Sequence, residues 1–350
     1  MKKTYSTLIM GASYGSLLGA KLALAGHDVT LVCLPAEADA INRDGIRIRL
    51  PVKGKDALVE VDTLNAPGKI RAAGPGDVRP GDYDLVVLAM QEPQYRSPGV
   101  RELLDAVALA HVPTMSIMNM PPLPYLRRIP GIDPKSLESA YTDASVWRNF
   151  DPKVFTLCSP DPQAFRPPDA EPNVLQVTLP TNFKAARFES DEHTAMLRTM
   201  QEGIEALDLP VKLKVHDSIF VPLAKWAMLI SGNYRCVQKD EARSIRDAVH
   251  SDPAQSRATY DWVRDLCVSL GASPGDLVPF EKYANAAQGL VRPSSAARAL
   301  FAGAPNIERV DRLVQSIAAQ KGKRLEGLDE TVRLVDARLA ANREAQLVKS

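Results

Sequence analysis

Lys225 is the one ionisable group in the apolar segment at residues 219–230, which reads Ile-Phe-Val-Pro-Leu-Ala-Lys-Trp-Ala-Met-Leu-Ile. At helical spacing its neighbours Val221, Pro222, Met228 and Leu229 are all apolar. Its amine therefore either snorkels to water along its stem or enters a cleft facing another domain. In a cleft, desolvation disfavours the ammonium and lowers its pKa toward neutrality, which suits a proton donor to a carbonyl under reduction.

A second constellation lies near the N-terminus. Gly11, Ala12, Ser13, Tyr14, Gly15 and Ser16 join a strand at residues 7–10 to a small-residue helix at 15–25. Backbone amides at a helix N-terminus can hold a pyrophosphate there. The spacing is an incomplete G-x-G-x-x-G, with Ser13 and Ser16 where two of the glycines would stand. The same letters spell G-x-S-x-G, the nucleophile elbow of α/β-hydrolases. That elbow follows several earlier strands, one of which supplies the oxyanion loop, whereas Ser13 follows the first strand and no H-G-G-G-like loop precedes it. A tight strand–helix turn with no ligand is the third reading.

These groups need a scaffold of alternating elements. Buried strands are expected at 7–10, 29–32, 83–89 and 114–118, with a short one at 46–50 and a helix at 100–109. This alternation predicts an α/β protein with an N-terminal Rossmann-type doubly wound sheet. From about residue 192 the pattern turns helical: Met196, Met200, Ile204 and Leu207 share one face, as do Ile307, Val310, Val314 and Ile317, and then Leu328, Val332, Val335 and Leu339. A C-terminal all-α domain follows, with the boundary placed at 216/217: a dinucleotide-binding domain over 1–216 and a helical substrate or dimerisation domain over 217–350. Many of the 27 prolines fall between 113 and 180, so that stretch is expected to be irregular.

Composition narrows the classes. Forty-three basic residues against 42 acidic ones leave a net charge of +1, too little for a nucleic-acid or anionic-membrane field. No segment has the ~18 apolar residues of a membrane span. The four cysteines, Cys33, Cys158, Cys236 and Cys267, form no C-x-x-C pair, and the five histidines lack ligand spacing, so no metal site is expected and a reducing cytoplasm fits. Lys2 and Lys3 ahead of the apolar stretch mimic a secretory leader, but Gly11, Gly15, Gly19 and Lys21 interrupt it and residues 28–32 complete a strand-helix-strand unit. Trp147, Trp226 and Trp262 are expected in the core. The proline run at 121–124 reads as a rigid loop bordering the cleft.

Residues 9–19, the Ala-Gly-His-Asp-Val-Thr-Leu-Val run at 25–32, residues 84–94, Asn119 and the Lys225 segment together resemble the ketopantoate reductase family, the 2-dehydropantoate 2-reductases. The resemblance implies a Rossmann domain, a helical domain and reduction of a 2-oxo acid to a 2-hydroxy acid by NADPH. In the family a lysine within a W-x-K-L-x-x-N-x-x-x-N-like helix protonates the new alkoxide. Lys225 falls on it, and Asn233 falls on the second asparagine as a catalytic and substrate-binding residue. Asn119, in place of the family's Q-N-G turn, is implied to touch nicotinamide or substrate. Gln91 and Gln94 occupy the V-K-A-x-x-Q segment and are implied cofactor contacts, with the lysine replaced by Gln91. Glu308 and Ser295 fall near the family's C-terminal substrate region; a helix-start carboxylate and a helix cap are their structural alternatives.

Two departures bear on chemistry. Leu229 stands for the first asparagine of the lysine helix, and Leu34 for the arginine that reads the 2′-phosphate, with no carboxylate in its place for a ribose diol. The expected activity is thus an NAD(P)H-dependent 2-oxo acid reductase, with hydride from nicotinamide and a proton from Lys225. NADPH is the expected cofactor with NADH left open, the partner is a small 2-oxo acid, and a homodimer is the expected assembly. A dinucleotide-binding regulatory or sensor protein with little turnover is the alternative.

Overall fold

Near-continuous apolar runs buried on both faces make central strands of a parallel sheet. The Leu8, Ile9, Met10 run and the 85–88 run Leu-Val-Val-Leu are inaccessible to solvent for this reason. The computed structural model describes residues 3–348; Lys2, part of the leader-like pattern, lies outside them. The described chain divides into two units, one within Met1–Arg128 and Ser145–Pro222 and the other within Ile129–Ala144 and Leu223–Ser350.

In the first unit the strands are β1 (Ser6–Met10), β2 (Asp28–Val32), β3 (Arg47–Leu50), β4 (Val59–Asp62), β5 (Ile70–Ala73), β6 (Leu85–Leu88), β7 (Thr114–Ile117), β8 (Phe155–Ser159), β9 (Gln163–Phe165), β10 (Val174–Leu179), β11 (Phe183–Ala186) and β12 (Leu213–His216). The main sheet runs β12-β11-β8-β7-β6-β1-β2-β5. Its six strands from β5 to β8 are parallel, and their order is the doubly wound, dinucleotide-fold order, reversing between β1 and β6. The antiparallel pairing of β11 with β8 extends one edge. Helices α1 (Tyr14–Leu24), α2 (Pro35–Asp44), α3 (Val100–Ala110), α4 (Leu123–Leu126) and α5 (Asp191–Glu205) complete the unit. The leader-like stretch is therefore β1 and α1, at the middle of the sheet.

A second sheet, β4-β3-β10-β9, has no counterpart in the sequence reading beyond the 46–50 strand. Its central pairing is parallel and joins Arg47 to Val174, a register that no local pattern announces. The proline-rich 113–180 stretch is correspondingly less irregular than its composition predicts. Four strands lie in it, and only residues 118–154 are confined to short helical turns and loops.

The second unit is helical: α6 (Lys225–Met228), α7 (Ile245–His250), α8 (Pro253–Ser269), α9 (Phe280–Ala287), α10 (Ser295–Phe301), α11 (Val310–Gln320) and α12 (Glu326–Leu347). Among the described residues no helix is long and apolar enough to cross a membrane.

One buried charge in the first unit sets a pH dependence. Lys21 on α1 is only 2% exposed, its amine donates to the Pro210 carbonyl, and burial, then Lys212, lowers its pKa to about 8. The unfolded chain holds that proton up to the ordinary 10.5, so between these values the unfolded state binds more protons and stability rises with pH. The gain is on the order of 3 kcal/mol across the window. The stability difference between wild type and Lys21→Met should therefore shift in favour of wild type as pH rises from 8 to 10.5 in urea titrations. A pH-independent difference would mean that Lys21 is not desolvated.

Candidate active site

Gly11 is where β1 must turn into α1. Its φ of +104° belongs to glycine, and a Cβ there would lie 2.6 Å from Met90 Cγ and 2.8 Å from the Ala89 carbonyl oxygen. Gly11 N donates to the Val32 carbonyl at 2.9 Å and Ala89 N to that of Met10 at 2.8 Å. The ends of β1, β2 and β6 are thereby tied together at the strand-order reversal, the place where ligands bind in open α/β sheets.

Gly15 serves a different purpose. A Cβ on it would sit 2.7 Å from Ile9 Cγ2, so its missing side chain lets α1 approach β1. Ser13 is the exposed N-cap of α1 and its hydroxyl caps nothing, while the first turn carries no acidic residue. The positive end of the helix thus has neither a side-chain cap nor a carboxylate to neutralise it. Ser16 Oγ donates to the Ala12 carbonyl at 2.6 Å, and Tyr14 is half-buried.

The loop after β6 is closed by its own side chains. Gln94 Oε1 accepts from Gln91 N at 2.9 Å, and Met90 N donates to the hydroxyl of the buried Tyr95 at 3.0 Å. Both glutamines are exposed. Asn119 follows β7, flanked by the buried Met118 and Met120, and its Oδ1 is buried with no hydrogen-bond partner among the described residues. An orphaned acceptor at the carboxyl end of a central strand, a turn that tolerates only glycine and an uncapped helix N-terminus together fit a dinucleotide. Gly11, Ala12, Ser13, Tyr14, Gly15, Ser16 and Asn119 are the residues that could hold one.

Arg166 also reaches this turn. It follows β9 in the second sheet, donates through Nη2 to the Ala12 carbonyl at 2.6 Å, and pairs through Nη1 with Glu37 of α2. Nothing local in the sequence marks this contact, which spans 154 positions.

In the second unit the expected uniform helix is a succession of types. A 3₁₀ turn at Val221–Ala224, which spans the unit boundary, leads into α6, then a π turn at Leu229–Asn233 and a 3₁₀ turn at Tyr234–Cys236. Lys225 is half-buried and opens α6, whose Trp226 and Ala227 are core residues. In a continuous α-helix, residue 233 would overshoot the face of 225 by about 80°. The wider π turn rotates less per residue and returns Asn233 toward the Lys225 face. Gly232 makes the turn possible: a Cβ there would lie 1.9 Å from the Tyr283 hydroxyl, which donates to the Met228 carbonyl at 3.1 Å.

Two hydrogen bonds bring the other C-terminal candidates to this turn. Ser294 Oγ donates to the Asn233 carbonyl at 2.7 Å, and the Tyr234 hydroxyl donates to the Glu308 carbonyl while accepting from Val310 N at 3.0 Å. Burial pushes the Tyr234 phenol well above its ordinary pKa, so it stays a donor. The cap of α10 is Ser294, not Ser295: Ala297 N bonds to Ser294 Oγ at 3.2 Å. Ser295, the first residue of α10, is exposed. Glu308 is half-buried and precedes Arg309, whose guanidinium makes a two-pronged pair with the fully buried Asp311 at 2.9 and 2.8 Å and reaches Asp336 at 2.6 Å. Among the described residues no group of three or more His, Cys, Asp or Glu could hold a metal ion.

A doubly wound sheet with a glycine turn at its reversal, joined to a helical C-terminal unit, is the fold of the ketopantoate reductases. Residues 7–119 match the family model of ketopantoate reductase PanE/ApbA, as the resemblance in the sequence implies. No curated protein matches the chain by sequence. Among solved structures, a 2-dehydropantoate 2-reductase from Methylococcus capsulatus superposes with a TM-score of 0.67 at 16% identity, over 96% of this chain and 97% of that one. D-mandelate dehydrogenase, in a ternary structure with NADH and anilino(oxo)acetate, gives 0.64 at 13% identity over 97% and 99%. A dimeric ketopantoate reductase from Staphylococcus aureus gives 0.59 at 12% identity over 96% and 99%. These likenesses establish a shared fold at low identity.

Proposed function

We propose that the protein is an NAD(P)H-dependent reductase of a small 2-oxo acid, with Lys225 as proton donor. The observation that carries this reading is the uncapped, acid-free N-terminus of α1 behind Gly11, at the sheet's reversal. A bound reduced nicotinamide supplies the hydride. Ala12 to Ser16 would bind the pyrophosphate through backbone amides, and Gln91 and Gln94 would border the cofactor. Asn119 would offer its unpartnered Oδ1 to the nicotinamide amide or the substrate. In the second unit, Lys225 would donate its proton to the oxygen that gains charge as the carbonyl is reduced. Asn233, held in phase by the π turn, would orient that oxygen. Glu308 and Ser295 would contact the polar ends of the substrate. Burial of Leu229, 4% exposed where the family has an asparagine, supports a substrate with fewer polar groups than ketopantoate. The helical unit is proposed to bind substrate and to mediate a homodimer, and the protein to act in the cytoplasm.

The test is titration of the purified protein with NADPH and NADH by tryptophan quenching, followed by a screen of branched, aromatic and hydroxylated 2-oxo acids. Ser13→Glu places a carboxylate at the helix N-terminus without removing any cap. It should weaken either dinucleotide by at least ~10-fold, the scale of a lost charge-assisted contact, with an unchanged melting temperature. Absence of dinucleotide binding by the wild type overturns the reading. A sensor with little turnover is the second reading, favoured by the same Leu229, and binding without turnover on any 2-oxo acid would select it.

A further inference from the structure

The loop after β2 carries no cation: Leu34 is 70% exposed. Arg43 stands at the far end of α2, paired with Asp44 at 2.8 Å, and the Gln94 side chain is used by its own turn. The charge at this end of the sheet comes from elsewhere in the chain. Arg166 reaches in from the second sheet, one Nη on the Ala12 carbonyl and the other on Glu37, while its Nε has no bonding partner among the described residues. Glu37 is turned back toward the end of β2, its Oε2 accepting from Leu34 N at 3.2 Å. The two side chains are 27% and 21% exposed. They therefore sit beside the glycine turn and the β2 end, where this fold places the adenosine ribose. Cys33 lies between the same charges; burial, with Glu37 adding and Arg166 opposing, pushes its thiol up to about 12, so no thiolate competes there.

Building on the dinucleotide reading above, we propose that Arg166 reads the 2′-phosphate of NADPH and that Glu37 is the resident anion this phosphate displaces. A phosphomonoester carries more charge than a carboxylate, near −1.5 to −2 at neutral pH, and can take two guanidinium N–H groups at once. Nη1 is freed for it once Glu37 releases, and Nη2, which spends one of its two N–H groups on the Ala12 carbonyl, keeps the other. A ribose diol brings no charge and leaves the Arg166–Glu37 pair intact. The second sheet is thus the element that brings a specificity residue to the cofactor end of the first.

The experiment compares NADPH and NADH affinities, by calorimetry, in wild type, Arg166→Gln, Arg166→Lys and Glu37→Gln. Arg166→Gln should lose ~10- to 100-fold in NADPH affinity, the range for a charged hydrogen bond, and less than ~3-fold for NADH. Arg166→Lys should recover part of the loss. Glu37→Gln removes the competing anion and should tighten NADPH without tightening NADH. This second variant keeps the proposal testable should Arg166→Gln fail to fold. Equal losses for both cofactors, or none, overturn the assignment and make Arg166 a brace of the glycine turn. Weaker NADPH binding in Glu37→Gln overturns the displacement. A wild type that binds neither cofactor overturns the dinucleotide reading itself.

Discussion

Lys225→Met should lower the single-turnover rate of hydride transfer by about 10²- to 10⁴-fold, the usual worth of a positioned general acid. Dinucleotide affinity should stay near the wild-type value, because the proton is needed only as the alkoxide forms. Methionine keeps the length and apolar stem of lysine, so the change removes a donor without opening a void. Backbone placement should survive as well: Trp226 and Ala227 anchor α6 in the core whatever stands at 225. The measurement is rapid mixing of the preformed dinucleotide complex with the 2-oxo acid found in the screen. Wild-type turnover in Lys225→Met would make the residue a snorkelling lysine and return the proton source to solvent or another side chain.

Arg309→Met should destabilise the protein by about 3–5 kcal/mol, because it leaves the Asp311 carboxylate buried without its counter-ion. Asp311 is wholly inaccessible, and Arg309 grips it with two parallel bonds. Asp336, 36% exposed and shared with Arg312, is the contrasting partner; Asp336→Asn should cost roughly 1 kcal/mol or less, as exposed pairs do. Urea unfolding distinguishes the two. The double variant Arg309→Met/Asp311→Leu should recover much of the loss, since an apolar pair of similar volume replaces an ion pair at little net cost. If Arg309→Met costs less than about 1 kcal/mol, water reaches Asp311 and the pair does not set the conformation of the segment carrying Glu308.

The parts of this molecule written in short-range pattern could be read from the sequence. Leu8 to Met10 and the 85–88 run announce buried strands because both faces are apolar, and the glycine turn announces itself between strand and helix. The second sheet could not be read, because β3 and β10 pair across 127 positions and each is ordinary alone. At the glycine turn, Gly11 and Gly15 look equivalent in the sequence, yet Gly11 answers to backbone conformation and Gly15 to the fit of α1 on Ile9. The lysine segment reads as one apolar helix, since hydrophobicity carries no sign of a π turn; only Gly232 beneath the Tyr283 hydroxyl marks where the winding changes. Ser294 and Ser295 are adjacent and chemically identical, so which of them caps α10 is decided by the tertiary contact to Asn233. Arg166 is a solitary arginine among prolines, and its partners Ala12 and Glu37 lie too far away in sequence to identify it.

The bond from Arg166 to Ala12 has a consequence for the order in which the protein is made. A nascent chain that has emerged through β7 already contains every strand needed to set the sheet's reversal, yet it lacks the arginine that donates to the Ala12 carbonyl. That arginine arrives only after β8 and β9 have been synthesised, and the sheet that carries it closes only when β10 finds β3. Such long loop closures are slow relative to local pairing. A fragment ending near residue 119 should therefore assemble its strands without the Arg166 bond to the glycine turn. Completion of the contacts around the glycine turn is then timed by the second sheet rather than by the first.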